Sequence, residues 1–364
     1  MSAMASPTAL ARYFLRLGTT GFGGPIALVG AMHRDLVEER GWLSEAEYQE
    51  GMALAQLSPG PLAAQLCFYI GYVRGGIASA ALVGLAFILP SFLMVVGLGW
   101  AYVHFGGIPS VQAVFYGVGA AVIGLIARSA YGLIRKTLNR DGLRWAIALA
   151  LMVTTAVTGQ EIVWLILAGG VVVVLVRGLP ARGQLAEAGS ALLLLQLLGY
   201  FSFAGTFVFG SGLAIVPFLH GGVVTERQWL TEAQFLDAVA VALITPGPVV
   251  ITTGFIGYLV AGPIGAVVAA TATFLPCFLL TVIPAPYFRR YGDRPWLKAL
   301  VTGITAGAVG AIAGAVVVLG RQSVRDLPTT LIALVCLVVS LRFRKVPDPL
   351  LIVAAGIAGV LLRR

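Results

Sequence analysis

Two short sequences carry the clearest chemical signal in this chain: Ser58-Pro59-Gly60-Pro61 and Thr245-Pro246-Gly247-Pro248. They interrupt apolar runs at 53–73 and 238–260. Proline lacks an N–H and disfavours helix in the residue before it, so two prolines around a glycine end an α-helix. Ser44-x-x-Glu47 and Thr231-x-x-Gln234 have the capping-box pattern and open the helices that run into these breaks. The second proline of each motif, Pro61 or Pro248, suits the first turn of a new helix. The N–H groups of that turn lack intrahelical acceptors and together carry about half a positive charge. Helix starts of this kind bind oxyanions. A structural kink is the plainer reading of one such motif. Two of them, each beside a hydroxyl (Ser58, Thr245), favour an anion site built from both.

Few polar side chains lie near the breaks: Gln56, Ser58 and Gln65 at the first, Thr245, Thr252 and Thr253 at the second. Hydroxyl and amide donors can hold an oxyanion without a permanent buried charge. Gln65 falls one turn beyond Pro61, a spacing that can point it back at the break. A glycine-rich stretch, Gly21-Phe22-Gly23-Gly24-Pro25, has a counterpart in Phe209-Gly210-Ser211-Gly212. It either packs backbones closely or adds N–H donors to the same cavity. The candidate binding set is therefore Phe22, Gly23, Gly24, Pro25, Gln56, Ser58, Pro59, Gly60, Pro61 and Gln65, with Phe209, Gly210, Ser211, Thr245, Pro246, Gly247, Pro248 and Thr252.

The acids are informative by location. Asp35, Glu38, Glu39, Glu45, Glu47 and Glu50 crowd one connection, and no acid sits deep in an uninterrupted apolar span. The buried carboxylate relay usual in proton pumps is not evident. Glu50 and Asp237 come nearest, nine residues before their Pro-Gly-Pro prolines, about 13 Å along a helix. They read either as solvated helix-start acids or as coupling groups. His33 and His220 either titrate near neutral pH or anchor loops at the membrane interface. There is no G-x-x-x-x-G-K-[ST] phosphate loop and no H-E-x-x-H. Three histidines and Cys67, Cys277 and Cys336 have no metal-ligand spacing. No metal, cofactor or enzymatic cluster of nucleophile, acid and base is expected, and no cleavable signal peptide.

What must position these residues follows from composition. Of 364 residues, 59% are hydrophobic and 11% charged, against about 25% charged in soluble domains. Soluble enzyme, nucleic-acid binder and disordered scaffold are excluded on that ground. An all-α polytopic membrane protein is expected, with the lipid bilayer as its surroundings. The net charge of +9 sits between apolar runs, at Arg135, Lys136, Arg140 and Arg144 and at Arg289, Arg290, Arg294 and Lys298. That placement marks topology, not nucleic-acid binding. Segments 77–104, 111–134, 264–288 and 297–319 are long enough to span, and shorter ones pair as 145–157 with 162–176 and 329–341 with 350–362.

The chain repeats itself. Trp42-Leu43 recurs as Trp229-Leu230, 187 residues on, and the same shift relates Phe22-Gly23 to Phe209-Gly210, His33 to His220, Glu39-Arg40 to Glu226-Arg227 and Glu50 to Asp237. After one deletion the shift is 186, relating Ile70-Gly71-Tyr72 to Ile256-Gly257-Tyr258 and Leu89-Pro90 to Leu275-Pro276. The sequence thus divides into homologous helical repeats, 1–180 and 181–364, each with a Pro/Gly-broken helix. Loop charge reverses between them: the connection near 106–108 has no Lys or Arg, and its counterpart holds Arg289, Arg290, Arg294 and Lys298. Opposite bias at equivalent loops predicts an inverted repeat, a recurrent transporter architecture.

With FGGP at 22–25, EERGWLSEAEYQEGMALAQLSPGP at 38–61 and FYIGY at 68–72, echoed by FGSG, ERQWLTEAQF and ITPGP, the chain resembles the chromate ion transporter (CHR) family in its two-domain form. The second half departs from the first where FGSG replaces FGGP and Thr252 replaces Gln65. The resemblance implies efflux of chromate from the cytoplasm, chromate resistance, sulfate as the look-alike anion, and a multi-pass protein of a bacterial-type plasma or inner membrane. The alternative is a sulfate or related oxyanion transporter or exchanger. A homodimer is compatible with the sequence. Moving one charge through 100 mV is worth about 2.3 kcal/mol, so a dianion leaving an inside-negative cell gains about 4–5 kcal/mol.

Overall fold

The computed structural model describes residues 6–22, 24–58, 60–106, 108–138, 141–158, 191–206, 215–287, 306, 309–310, 313–314, 316–317, 320–321, 324, 326–343, 346 and 348–362. Regular structure among them is helical throughout. The expected spans at 162–176 and 297–319 lie wholly or largely outside the described residues, as does the junction near residue 180. In chain order the helices are α1 Pro7–Thr20, α2 Gly24–His33, α3 Glu45–Leu57, α4 Leu62–Phe105, α5 Pro109–Thr137, α6 Gly142–Thr158, α7 Ala191–Thr206, α8 Ile215–His220, α9 Glu232–Ile244, α10 Thr252–Val282, α11 Leu327–Arg342 and α12 Asp348–Leu362. Single π-helical turns, Arg34–Glu39 and Gly221–Glu226, follow α2 and α8 at equivalent places in the two repeats.

Both capping boxes form. Ser44 Oγ accepts from Glu47 N at 3.2 Å while Ser44 N donates to Glu47 Oε2 at 2.9 Å. Thr231 and Gln234 repeat the pattern at 3.3 and 2.9 Å. These bonds satisfy donors that a helix start otherwise leaves open.

The Pro-Gly-Pro break in the first repeat turns the chain back on itself instead of kinking one crossing. Arg74, near the end of the first stretch of α4, reaches Glu47 at the start of α3, and Leu54 of α3 packs on Tyr69. The two arms, 45–57 and 62–74, are therefore antiparallel. Each is about 20 Å long, short of the ~30 Å hydrocarbon core, which is the geometry of a re-entrant hairpin with the break at its tip. A second reversal follows at once. Gly75 and Gly76 leave helical geometry, Gly76 at φ +67°, and Gly71 then faces Ala80 while Cys67 Sγ lies 3.6 Å from Val83 O. From residue 77 to 105 the chain is helical for about 43 Å, enough to cross a bilayer. The second repeat turns in the same way at Ala261 and Gly262 (φ +62°), bringing Gly257 against Gly265. α1 and α2 form a third reversal, with Tyr13 OH donating to Asp35 Oδ2 at 3.1 Å across the glycine-rich turn.

The compact units do not follow the repeats. One gathers Met1–Trp100, Leu194–Ile215 and Val241–Gly292. It contains both Pro-Gly-Pro motifs. The other gathers Ala101–Leu193, Val216–Ala240 and Asp293–Arg364. Its core is α5 packed on α11 and α12, where Gly117 and Gly359 allow backbones to touch. There Arg128, in an otherwise apolar span, pairs with Asp348 at 3.0 and 3.2 Å. No local sequence pattern marks that pair, whose members lie 220 residues apart.

Candidate functional site

Each Pro-Gly-Pro break is built around a glycine that no other residue replaces cheaply. Gly60 has φ +146° and Gly247 φ +95°, in the region where a Cβ is strained. The tips begin alike: Ser58 N donates to Leu54 O at 2.8 Å and Thr245 N to Val241 O at 3.1 Å. Ser58, Gly60 and Pro61 are buried at one tip, and Thr245, Pro246, Gly247 and Pro248 at the other. The helices after the breaks start one residue later than the proline rule suggests. Pro61 precedes α4 and accepts from Gln65 N at 3.0 Å; Pro248 precedes a 3-10 turn, Val249–Ile251, that leads into α10. Each second proline thus contributes its carbonyl as a cap, and its missing N–H costs nothing there.

The polar side chains divide by repeat. Gln65 folds back onto the first tip, its Nε2 donating to Ser58 O at 3.2 Å, and is fully buried. Thr252, its counterpart, bonds within its own turn, Oγ1 to Val249 O at 2.7 Å. Gln56 is exposed. Gly24 and Pro25 open α2. Gly23, Pro59, Phe209, Gly210 and Ser211 lie outside the described residues.

The second tip meets the glycine-rich turn of the first repeat. Gly247 N donates to Gly21 O at 2.9 Å. The amide of Gly247, a candidate binding residue, is therefore occupied by a protein carbonyl. Beside this junction lies an open cleft of about 480 Å³ lined by Thr19, Phe22, Leu93, Met94, Gly97, Leu98, Ile244, Thr245 and Pro246. Phe22, Thr245 and Pro246 are candidates from the sequence; Thr19 and the α4 residues are not. The Leu89-Pro90 repeat marks that stretch of α4, but periodicity alone does not select its faces.

The titratable candidates also separate. His33 Nε2 lies 2.8 Å from Glu45, and His220 Nε2 2.7 Å from Glu232, so both tie the end of one helix to the start of the next. Glu50 is half-buried. Asp237 is buried, 8% exposed, and accepts from Tyr102 OH at 2.6 Å. The solvated-acid reading fails for Asp237 because its carboxylate is buried; its partner Tyr102 lies 135 residues away, where no local pattern points to it. Among the described residues no group of His, Cys, Asp or Glu is arranged to hold a metal. At the mouth of the first hairpin, outside the spanning segments, Arg74 holds the Glu47 carboxyl down to about 2, with help from Ser44.

A model described as chromate transporter matches residues 8–174 and again 195–360. The chain belongs to the chromate transporter family. The two matches start 187 residues apart and end 186 apart, the shifts of the internal repeat, so each repeat is one copy of the family's unit. The chain is 61% identical over 371 residues to a probable chromate transport protein of Synechococcus elongatus, covering 97% of this chain and 94% of that one. It is 57% identical to a chromate transport protein of Cupriavidus metallidurans (96% and 92% covered) and 31% identical to one of Pseudomonas aeruginosa (99% and 93%). No solved structure matches. A chromate transporter is a membrane protein and not an enzyme. Among the described residues, three apolar stretches are long enough to contain a crossing: Leu62–Phe105, Val111–Gly132 and Val249–Tyr287, the first and third divided by the turns at Gly75-Gly76 and Ala261-Gly262, so that the crossing parts begin beyond those turns.

Proposed function

We propose that this chain exports chromate from the cytoplasm across a bacterial-type plasma or inner membrane, driven by the membrane potential. The observation that carries the reading is the pair of Pro-Gly-Pro breaks, each a buried left-handed glycine before a proline with helical backbone starting just beyond it. Irregular backbone at membrane depth is tolerated only where protein buries it or it lines a cavity. Amides and hydroxyls there attract a dianion and give it up without the cost of separating a full ion pair. The repeats, 1–180 and 181–364, are inverted and rock about the breaks to expose the anion to either side. Sulfate shares the tetrahedral dianion geometry and competes. The high identity to proteins named for chromate supports the substrate.

The test is labelled anion flux in sealed proteoliposomes under imposed potentials. Chromate should move toward the positive side, by about 4–5 kcal/mol of driving force per dianion at 100 mV. Flux indifferent to potential would remove the driving force, and net sulfate uptake with no chromate movement would favour the exchanger.

A further inference from the structure

Ser91 lies on α4, directly after Pro90, and is fully buried. Among the described residues its hydroxyl has no hydrogen-bond partner. A serine or threonine in a helix usually bonds back to the carbonyl one turn earlier, and Thr273 and Thr281 on α10 do so at 2.8 Å. Ser91 does not. Its Oγ instead lies against Gly247, where an added methyl would overlap it. The neighbouring residues Leu93 and Met94, and Thr245 and Pro246 beside Gly247, line the 480 Å³ cleft. The equivalent of Ser91 in the second repeat, 186 residues on, is Cys277. That thiol is satisfied, with Gly205 O at 3.3 Å and Thr273 O at 3.2 Å.

We propose that the Ser91 hydroxyl is a donor to the transported oxyanion, supplied by the first repeat to the tip of the second. This rests on the reading of that tip as the anion site. A buried hydroxyl without a partner is costly, and a packed helix offers an easy way to remove the cost by back-bonding. Holding the hydroxyl at the tip makes physical sense if a ligand oxygen completes its bond. The amide of Gly247 is occupied by Gly21 O, whereas the Ser91 hydroxyl beside it has no partner among the described residues. Selectivity follows: a tetrahedral anion with several acceptor oxygens gains from it, and a halide gains less.

The experiment uses the full chain in detergent and in proteoliposomes, with Ser91→Ala and Ser91→Cys. Thermal unfolding is measured with and without chromate or sulfate, together with the KM of labelled chromate flux. The expected result is graded. Ser91→Ala unfolds at the same or a higher temperature than wild type without anion, yet its KM rises about tenfold and its anion-induced stabilisation shrinks. Ser91→Cys, a weak donor, falls between. A KM within twofold of wild type in Ser91→Ala, with wild-type flux intact, overturns the assignment. So does a variant that loses thermal stability and transport together, which would make Ser91 structural. If wild type itself is neither stabilised by chromate or sulfate nor moves them, the anion-site reading falls and takes this one with it.

Discussion

Arg74→Met should loosen the mouth of the first hairpin. Arg74 and Glu47 side chains are 10% and 24% exposed. The guanidinium donates to both carboxylate oxygens at 2.8 and 2.7 Å, and to Trp42 O at 3.0 and 2.8 Å. With Glu47 lowered from 4.5 to about 2, linkage gives about 3 kcal/mol before screening and about 1–2 after it. Losing the donors to Trp42 O adds about 1 kcal/mol. The total, about 2–3 kcal/mol, should lower the thermal midpoint in detergent by about 3–4 °C at pH 7. The sign with pH is fixed by the depressed carboxyl. Its contribution is fully present above about pH 4.5 and is lost as pH falls through about 2. The gap between wild type and variant should therefore be constant at neutral pH and narrow below pH 4.5. Other acids titrate in both proteins and cancel in the difference. A variant as stable as wild type at pH 7, or a gap unchanged at pH 3, would refute the clamp.

At the tips, Gly247→Ala should cost about 2–4 kcal/mol, from left-handed strain and overlap with Ser91, and should abolish flux while the protein still inserts. Gly60→Leu should abolish flux as well, since its side chain displaces the Gln65 amide from Ser58 O; unchanged chromate tolerance in cells expressing it would remove the first tip from the site. Ser58→Ala should weaken transport less than either. Tyr102→Phe should cost about 1.5–3 kcal/mol by stripping the donor from buried Asp237, measured by thermal unfolding. Asp237→Asn should keep potential-driven flux; its loss, with loss of pH dependence, would make Asp237 a coupling group.

The helices were legible because their signals are local. The capping boxes, the Gly/Pro breaks and the spans over α5, α6, α11 and α12 are written in a few consecutive residues each. The repeat was legible because 187 and 186 residues separate many matched pairs. Gln65 could be aimed at its tip from spacing alone. The reversals could not be read in this way. A broken crossing and a re-entrant hairpin have the same hydropathy, and contacts between the arms, such as Arg74–Glu47 and Leu54–Tyr69, distinguish them. Partners far apart in sequence were invisible for the same reason: Tyr102 with Asp237, Arg128 with Asp348, and Gly247 with Gly21.

Duplication gave two copies of one scaffold, and the polar residues have since diverged on it. Where the first repeat has Glu47 and Arg74, the second has Gln234 and Val260, so the ionic clamp has no copy. Where the first has half-buried Glu50, the second has buried Asp237. Gln65 reaches its tip carbonyl and Thr252 does not. Among the described residues Ser91 leaves its hydroxyl without a partner, and Cys277 closes its thiol onto carbonyls. Backbone features were kept: left-handed glycines at both tips and both second turns. In the inverted arrangement we propose, a symmetric backbone presents the same two states to either side of a membrane, because inverting the molecule exchanges them. The side chains break that equivalence. A tip braced by an ion pair at its mouth resists movement more than one without it. The second tip is buried, is joined to the Gly21 turn by a hydrogen bond from Gly247 and lies beside a cleft, and it carries no ion pair equivalent to Arg74–Glu47.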